Sequence, residues 1–482
     1  MEIKSSGKKA LKAGVWYTIC NFLVKGLSFI TTPIFTRIMT KAEIGTYANI
    51  GAWMGVLTIL VTLDLYSSVN NARFDFRDDL DGFMSSILAL GTMVTAALYG
   101  IVCLFMPFFS DLLSISPKIL HILFISLMVT PAITILQTKY RLTMDYKRNV
   151  ALSMSYAVLS VLSALGVMFI FKDNKVFGRV LGQYGMNIII ALVVYILIFV
   201  KGKKVRPKYW RYALFISLPI CLHFLAGNIL STSDRLMITK ICGEEQNALY
   251  SIPSNCAMIV SILWSSMNNA WGPWAFERMD EKDYKTIDKM SKPYTVFFGV
   301  IVLGMLLLAP EVLYIMGGKP YLEAVYVIPP VMLGYVFQFM YSLFVNIEIF
   351  YKKQTYIAIG TCIAAAVNIG LNAIFIPMFG YIAAAYTTLA GYSVLFIIHY
   401  LFVKHMKKDN IYSAKFVFGF SAVMFATGLL CIHLYMNNIV RYCLLGAAAA
   451  VCLWFVIKNR RVITDALKTK QFGKLAALLK MN

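Results

Sequence analysis

Fourteen apolar runs, each long enough to cross a bilayer, follow one another through the 482-residue chain. A membrane-crossing helix needs about 20 mostly apolar residues, because the hydrocarbon core is about 30 Å thick and a helix rises 1.5 Å per residue. The runs lie at 14–36, 44–66, 83–108, 115–137, 150–171, 176–200, 213–235, 245–270, 293–316, 322–350, 355–376, 378–403, 414–436 and 439–457. A membrane β-strand needs only about 10 residues and alternates, so these runs are read as helices. The expected fold class is an all-α polytopic membrane protein. Composition agrees: 59% of residues are hydrophobic and 14% charged, against roughly 45–50% and 25% in soluble domains. Disorder, a coiled coil and a nucleic-acid-binding enzyme are excluded on that ground. The first run follows Lys4, Lys8, Lys9 and Lys12 without a small-residue cleavage site. It is read as a span rather than as a signal peptide.

The net charge of +22 is explained by where the basic residues sit. Loops after even-numbered spans, together with both tails, hold 34 of the 45 lysines and arginines. Loops after odd-numbered spans hold seven: Arg37, Lys41, Lys118, Lys172, Lys175, Lys319 and Arg441. Basic loops stay in the cytoplasm. Both termini are therefore expected there, and no nucleic-acid partner is needed to account for the charge. The longest inward loop, 271–292, is expected to lie along the interface with Trp271 and Trp274 at headgroup depth. The nine cysteines form no CxxC pair. Those inside apolar runs, Cys20, Cys103, Cys221, Cys362, Cys431 and Cys452, are read as buried small hydrophobes.

Two halves of the chain echo one another. TRIMTKAEIGTYA (36–48) matches DRLMITKICGEEQNALYS (234–251), with Arg37 opposite Arg235 and Tyr47 opposite Tyr250. LFMPFFSDLL (104–113) matches LLAPEVLYIM (307–316), with Pro107 opposite Pro310. Tyr146-Lys147-Arg148 matches Tyr351-Lys352-Lys353, and Gly178 and Tyr184 match Gly380 and Tyr386. The offsets are 198, 203, 205 and 202 residues. Six spans per copy is an even number, so both copies enter from the same side. The repeat is parallel, with a pseudo-two-fold axis along the membrane normal and a substrate site between the halves. The expected division is an N-terminal lobe (1–200), a basic linker (201–212) and a C-terminal lobe (213–403). Two additional spans (404–457) and a basic cytoplasmic tail (458–482) follow.

These residues resemble a known group. The element Thr36-Arg37-Ile38-Met39 before Gly45-Thr46-Tyr47-Ala48 is similar to the polysaccharide-transport branch of the multidrug/oligosaccharidyl-lipid/polysaccharide (MOP) exporter superfamily. So are LPICLHFLAGNILSTSDRLMI (218–238) and IFIPMFG (374–380). The resemblance implies a flippase for lipid-linked oligosaccharides, typically undecaprenyl-diphosphate-linked repeat units of capsule, O-antigen or exopolysaccharide. It implies the bacterial cytoplasmic membrane, contact with membrane lipids, and pathway partners such as a polysaccharide polymerase or glycosyltransferases.

Charges inside a membrane face a cavity or a partner. Lys25 lies near the middle of the first span, on a stripe with Asn21, Ser28 and Thr32 at helical spacing. It is about 11 residues from either end, roughly 16 Å, beyond a lysine's snorkelling reach. Lys25 and Asn21 are therefore expected to line a polar lumen. Further candidates are Arg37, Asp64 (paired with Arg73 or at the cavity mouth), Arg179 (lumen-facing or snorkelling), His223 and Asn228. Asp234 and Arg235 are read as a structural ion pair or as ligands, and Glu348 as a residue of the cavity mouth. Basic groups there suit a diphosphate. No catalytic residue and no metal site is expected. Asp79-Leu80-Asp81 is read as a solvated acidic loop, and no GxxxxGK[ST] occurs. No cofactor is expected; the drive would come from H⁺ or Na⁺ coupling or from the membrane potential. A headgroup charge of about −2 moving outward gains roughly 4.6 kcal/mol per 100 mV. The competing readings are a cation-coupled drug exporter of the same superfamily, a membrane glycosyltransferase or polymerase, and a structural scaffold. An exporter would carry a more apolar cavity with one or two dominant carboxylates, and an enzyme would need catalytic acids or a large outer loop.

Overall fold

The computed structural model describes residues 2–408 and 410–458, with side chains described between Trp16 and Ala450 apart from positions 18, 409, 448 and 449. The expected basic tail beyond Lys458 lies outside the described residues. Every long regular element among the described residues is a helix, and thirteen segments are long and apolar enough to cross a membrane. The fourteenth expected span is also a helix, Asn438–Lys458.

The first half comprises α1 (Glu2–Ile38), α2 (Lys41–Thr62), α3 (Val69–Asp75), α4 (Leu80–Leu104), α5 (Met106–Leu113), α6 (Pro117–Val129), α7 (Pro131–Leu142), α8 (Tyr146–Ile170) and α9 (Lys175–Gly202). The second comprises α10 (Lys208–Cys242), α11 (Glu244–Asp280), α12 (Tyr284–Leu307), α13 (Ala309–Gly317), a 3₁₀ segment (Lys319–Val327), α14 (Ile328–Phe350), α15 (Gln354–Phe379) and α16 (Tyr381–His405). The helices α17 (Ala414–Leu434) and α18 (Asn438–Lys458) follow.

Local chemistry sets the boundaries. The stretch Thr40-Lys41-Ala42-Glu43 forms a capping box at the start of α2. The Glu43 amide donates to Thr40 Oγ1 at 3.2 Å, and the Thr40 amide donates to Glu43 Oε2 at 2.7 Å. Asp145, Asn174 and Asp283 cap α8, α9 and α12 in the same manner, each accepting a backbone N–H. Proline opens α6 and α7, where its missing N–H costs nothing. The fourth span is thereby broken at Thr130-Pro131 into two helices.

The duplication is visible in the packing. The pairs α1–α8, α6–α9 and α8–α9 of the first half recur as α10–α15, α14–α16 and α15–α16 of the second. Pro107 and Pro310, matched in sequence, each sit at the start of a short helix, α5 and α13. The last two helices pack on the second half, α17 against α12 and α14, and α18 against α12.

Three expectations need correction. The segment 271–292 is not an interfacial loop. Helix α11 has 37 residues, about 55 Å of rise, and runs straight through the expected loop to Asp280. Trp271 is buried: its ring lies 4.3 Å from that of Tyr294, and its Nε1 donates to the Tyr412 hydroxyl at 3.2 Å. Cys103 and Cys362 are exposed on helix surfaces rather than buried.

Arg441 is read from sequence only as one charge of an outer loop. It is in fact buried at the start of α18, where its guanidinium holds Glu311 of α13 through two bonds of 2.5 and 2.6 Å. It also donates to the Leu307 carbonyl at 2.8 Å. Glu311→Gln removes the counter-charge and is expected to destabilise the docking of α18 by on the order of 3 kcal/mol. A thermal melt of the detergent-solubilised protein measures this, and an unchanged melting temperature would refute it.

Candidate functional site

The two halves are fastened by several elements at one end, while at the other the start of α10 meets the N-terminal lobe. The end that carries the basic loops is called inner here. At the outer end, Thr36 Oγ1 donates to the Met316 carbonyl at 2.7 Å and Lys41 pairs with Glu323 at 2.7 Å. Asn247 Nδ2 donates to the Gly45 carbonyl at 3.0 Å, and Lys240 pairs with Asp111 at 3.0 Å. The largest apolar cluster is continuous across this end, from Phe35 and Ile44 to Val260 and Leu313. The inner half of the N-terminal lobe has a separate cluster around Phe83, Leu136 and Ile198.

Below the outer contacts lies a hollow of about 380 Å³ between the lobes. Thr58 and Thr62 of α2 form one wall, with Asp64 and Tyr66 from the turn that follows. His223, Asn228 and Ser231 of α10 face them, with Gln338 and Tyr341 of α14 and Thr361 of α15. A second hollow of about 270 Å³ inside the N-terminal lobe shares Thr58, Thr62 and Tyr66, and adds Thr134, Gln137 and Tyr156. Among apolar side chains such as Ile59, Phe224 and Leu395, the polar wall groups are hydroxyls, amides, an imidazole and the Asp64 carboxylate, with no lysine or arginine. The neutral ones are donors and acceptors suited to sugar hydroxyls. A larger hollow of about 720 Å³ lies at the outer end beside Tyr326, Tyr435 and Arg441. Its exposed lining is mainly apolar and its Arg441 is already neutralised by Glu311, so it offers an anionic headgroup little.

The sequence candidates are distributed as follows. His223 and Asn228 line the central hollow, and the His223 Nδ1 atom has no hydrogen-bond partner. Asp64 lines it too. It pairs with neither Arg73 nor Lys25; instead it accepts a hydrogen bond from Ser67. Arg73 is half-buried on α3 beside the Phe74 ring. Arg37 belongs to the outer end, donating to the Pro33 carbonyl at 2.7 Å and reaching the Ile315 carbonyl at 3.4 Å. Lys25 and Asn21 are exposed on α1, with no side-chain partner for Lys25 among the described residues. They do not belong to the walls of either inner hollow.

Arg179 does not snorkel. Its guanidinium is held between the Phe35 and Tyr47 rings, 3.6 and 3.4 Å from their centroids. Asp234 and Arg235 are not an ion pair. Arg235 donates to Asn255 at 3.0 Å, while Asp234 is buried in a ring of neutral donors. Asn372 donates to its Oδ1 at 2.9 Å, and Thr388 at 2.6 Å and Tyr250 donate to its Oδ2. Asn368 continues the network, accepting from Ser233 at 2.8 Å and from Asn372 at 3.2 Å. Glu348 is not at the mouth: it is fully buried, paired with His399 of α16. The acidic stretch before α4 is structural. Asp79 pairs with Arg206 and accepts from Tyr209 at 2.5 Å, and Asp81 pairs with Lys139 at 2.5 Å. The Asp79 contacts pin the start of α10 to the N-terminal lobe, and the Asp81–Lys139 pair ties α4 to α7 within that lobe.

Sequence reading missed Asn368, Asn372, Thr388 and His399. The amides stand four residues apart on α15, hence on one face, in an otherwise apolar helix. That spacing was the available signal.

The comparisons fit this geometry. Residues 10–279 match the family described as "Polysaccharide biosynthesis protein". An uncharacterized membrane protein of Methanocaldococcus jannaschii is 20% identical over 447 residues, 85% of this chain and 87% of that one. The "Lsg locus putative protein 1" of Haemophilus influenzae is 22% identical over 214 residues, 42% of this chain; the match spans about half that relative's length, 53%. Among solved structures, "Lipid II flippase MurJ, inward closed conformation" is similar with a TM-score of 0.70 at 14% identity, over 93% of this chain and 100% of that one. An inward-facing multidrug resistance MATE family transporter of the MOP superfamily is similar with a TM-score of 0.60 at 14% identity, over 83% of this chain and 98% of that one. The chain therefore belongs to the polysaccharide biosynthesis protein family, and its fold is that of the MOP superfamily.

Proposed function

We propose that the protein is a flippase, not an enzyme, and that it moves a lipid-linked oligosaccharide outward across the bacterial cytoplasmic membrane by alternating access. The observation that carries this reading is the polar hollow between the lobes together with an unequal seam. Helix α10 packs along α2, but its counterpart α1 makes no comparable packing with α11 among the described residues. A polar chamber beside an open seam suits a cargo with two natures. A sugar-diphosphate cannot cross hydrocarbon without substitutes for its water. An isoprenoid chain has no reason to leave lipid. The headgroup would occupy the hollow and the chain would lie through the seam.

In this conformation the outer end is closed, and the hollow reaches the inner turn at Asp64 and Tyr66. The wall amides and hydroxyls would replace water around the sugars, and Lys25, on the helix that borders the seam, would meet the diphosphate. Loading from the cytoplasmic side, opening of the outer contacts and release would follow. Asp64, Asp234 and Glu348 are the candidate carriers for coupling to H⁺ or Na⁺, alongside the membrane potential. The match to the polysaccharide biosynthesis protein family supports this reading over a drug exporter; the hollow itself carries one carboxylate, Asp64, and no lysine or arginine in its lining.

The test is a host strain lacking the gene. It should accumulate the lipid-linked repeat unit on the cytoplasmic leaflet and lack the surface polysaccharide. Single repeat units appearing outside would indicate a polymerase instead, and normal surface glycan would remove the chain from the pathway. Reporter fusions should place both termini in the cytoplasm, as the 34-to-seven division of basic residues requires. A fusion active outside would overturn that orientation.

A further inference from the structure

The C-terminal lobe holds an ionisable pair that the cargo path does not use. Glu348 of α14 and His399 of α16 are both fully buried. His399 Nδ1 stands 2.9 Å from each Glu348 carboxylate oxygen. One proton serves both groups: Nδ1–H donates to the carboxylate, or the carboxyl O–H donates to Nδ1. With that proton alone and Nε2 unprotonated, the pair carries one negative charge in an apolar interior, which is costly; a second proton, taken up at Nε2, makes it neutral.

The other face of the imidazole decides what the pair can do. His399 Nε2 is buried and has no hydrogen-bond partner. It abuts α15 at Gly360, where a Cβ would come within 2.8 Å of it. The next residue, Thr361, lines the central hollow. Two further buried polar atoms without partners lie on the same side, His223 Nδ1 and Gln338 Oε1, both on residues of the hollow. Tyr341 touches both regions, since its ring lies 5.3 Å from that of His399 and it lines the hollow. Three unpartnered polar atoms in one neighbourhood are unusual in a packed interior and call for a functional account. The titratable groups facing the pair are Tyr341 from α14 and His223 from α10, and Gly360 of α15 abuts the imidazole. No lysine, arginine or second carboxylate pairs with it among the described residues.

We infer that Glu348 and His399 form a proton-binding site of the C-terminal lobe, closed off in this conformation and joined to the central hollow when α15 shifts against α16. The proton balance is simple. A hydrated proton entering the hollow from the aqueous phase protonates Nε2 and leaves as water, and Nδ1 passes its own proton to the Glu348 carboxylate, so the pair gains one proton and loses its negative charge. The products are a neutral imidazole of the opposite tautomer and a carboxylic acid, and the reverse sequence returns the proton. Because α14, α15 and α16 also form one wall of the hollow, loading the pair and reshaping that wall are one event. The coupling rests on the flippase reading; proton binding itself does not.

Infrared difference spectra of the purified full chain, taken between mildly acidic and mildly alkaline buffer, test the site without any glycan. The wild type should show the carbonyl band of a carboxylic acid in an apolar setting. Glu348→Gln should lose that band while remaining folded, since its amide still hydrogen-bonds to His399. His399→Gln should keep the band but move the pH of its half-formation by about one unit or more. Glu245→Gln, at an exposed position, should leave the spectrum unchanged. A wild-type spectrum reproduced in Glu348→Gln would overturn the proton site. Loss of the band with full glycan export would overturn the coupling while leaving the flippase reading intact.

Discussion

Gly45→Val is expected to abolish glycan export in a protein that still inserts and folds. Gly45 lies in the first turn of α2, where α2 meets the first turn of α11 at the outer end. A Cβ there would overlap the backbone carbonyl of Glu244. Backbone cannot rotate aside as a side chain can, so α11 must retreat. Retreat stretches the Asn247–Gly45 hydrogen bond and the Lys41–Glu323 pair beside it. Overpacking of this kind costs about 3 kcal/mol, enough to change the ratio of closed to open outer ends roughly 150-fold. The outer end should then stand open most of the time, and the inner chamber should no longer be offered to cargo. A cysteine at Ser231, in the wall of the hollow, reports this in a background without exposed native cysteines. An impermeant thiol reagent added outside should label it with Val at position 45 and not with Gly. Equal labelling in both, with normal export, would show that this contact does not hold the outer end closed. Gly45→Ala should give the same effect at smaller size.

The same contact illustrates what a sequence of this kind discloses. Helices, their number and their two-fold arrangement follow from run length and repetition. Both are properties of the chain in one dimension, and Pro107 and Pro310 open short equivalent helices as their spacing implies. Partners across the lobes are different, because they depend on how a helix is rotated about its axis. Asp234 and Arg235 are neighbours in sequence and invite reading as a pair. Adjacent residues on a helix point about 100° apart, so each faces its own surroundings, Asp234 towards α15 and α16 and Arg235 towards Asn255 of α11. Glu348 is two residues from the end of α14 and reads as a mouth residue by depth, yet its azimuth turns it into the lobe towards His399. Arg179 sits near a helix end where snorkelling is available, but two aromatic faces hold it inside. Depth was legible in these cases; direction was not.

Lys25 is the charge whose direction matters most for the proposed function, and its substitution has the second large expected effect. Two accounts of a lysine at mid-membrane compete: a headgroup ligand and a structural pair with Asp64. The structure weighs on the second. Asp64 bonds to Ser67, and Lys25 is exposed on α1 without a side-chain partner among the described residues. Lys25→Ala should therefore change stability by no more than about 0.5 kcal/mol, as for other exposed sites without partners. Export should nevertheless fall to near background, because a diphosphate passing the seam beside α1 would lose its counter-charge. Lys25→Arg should retain much of the activity, since a guanidinium supplies the same charge and binds phosphate oxygens in pairs. The double variant Lys25→Ala/Asp64→Ala separates the accounts. If Lys25 balances Asp64, removing both should restore stability and export together. If Lys25 serves the cargo, the double variant stays inactive, because the cation is still missing. Surface glycan, measured beside the amount of folded protein in the membrane, decides between them. Normal export by well-expressed Lys25→Ala would remove Lys25 from substrate recognition and leave the neutral wall of Asn228, Gln338 and the threonines to hold the headgroup alone.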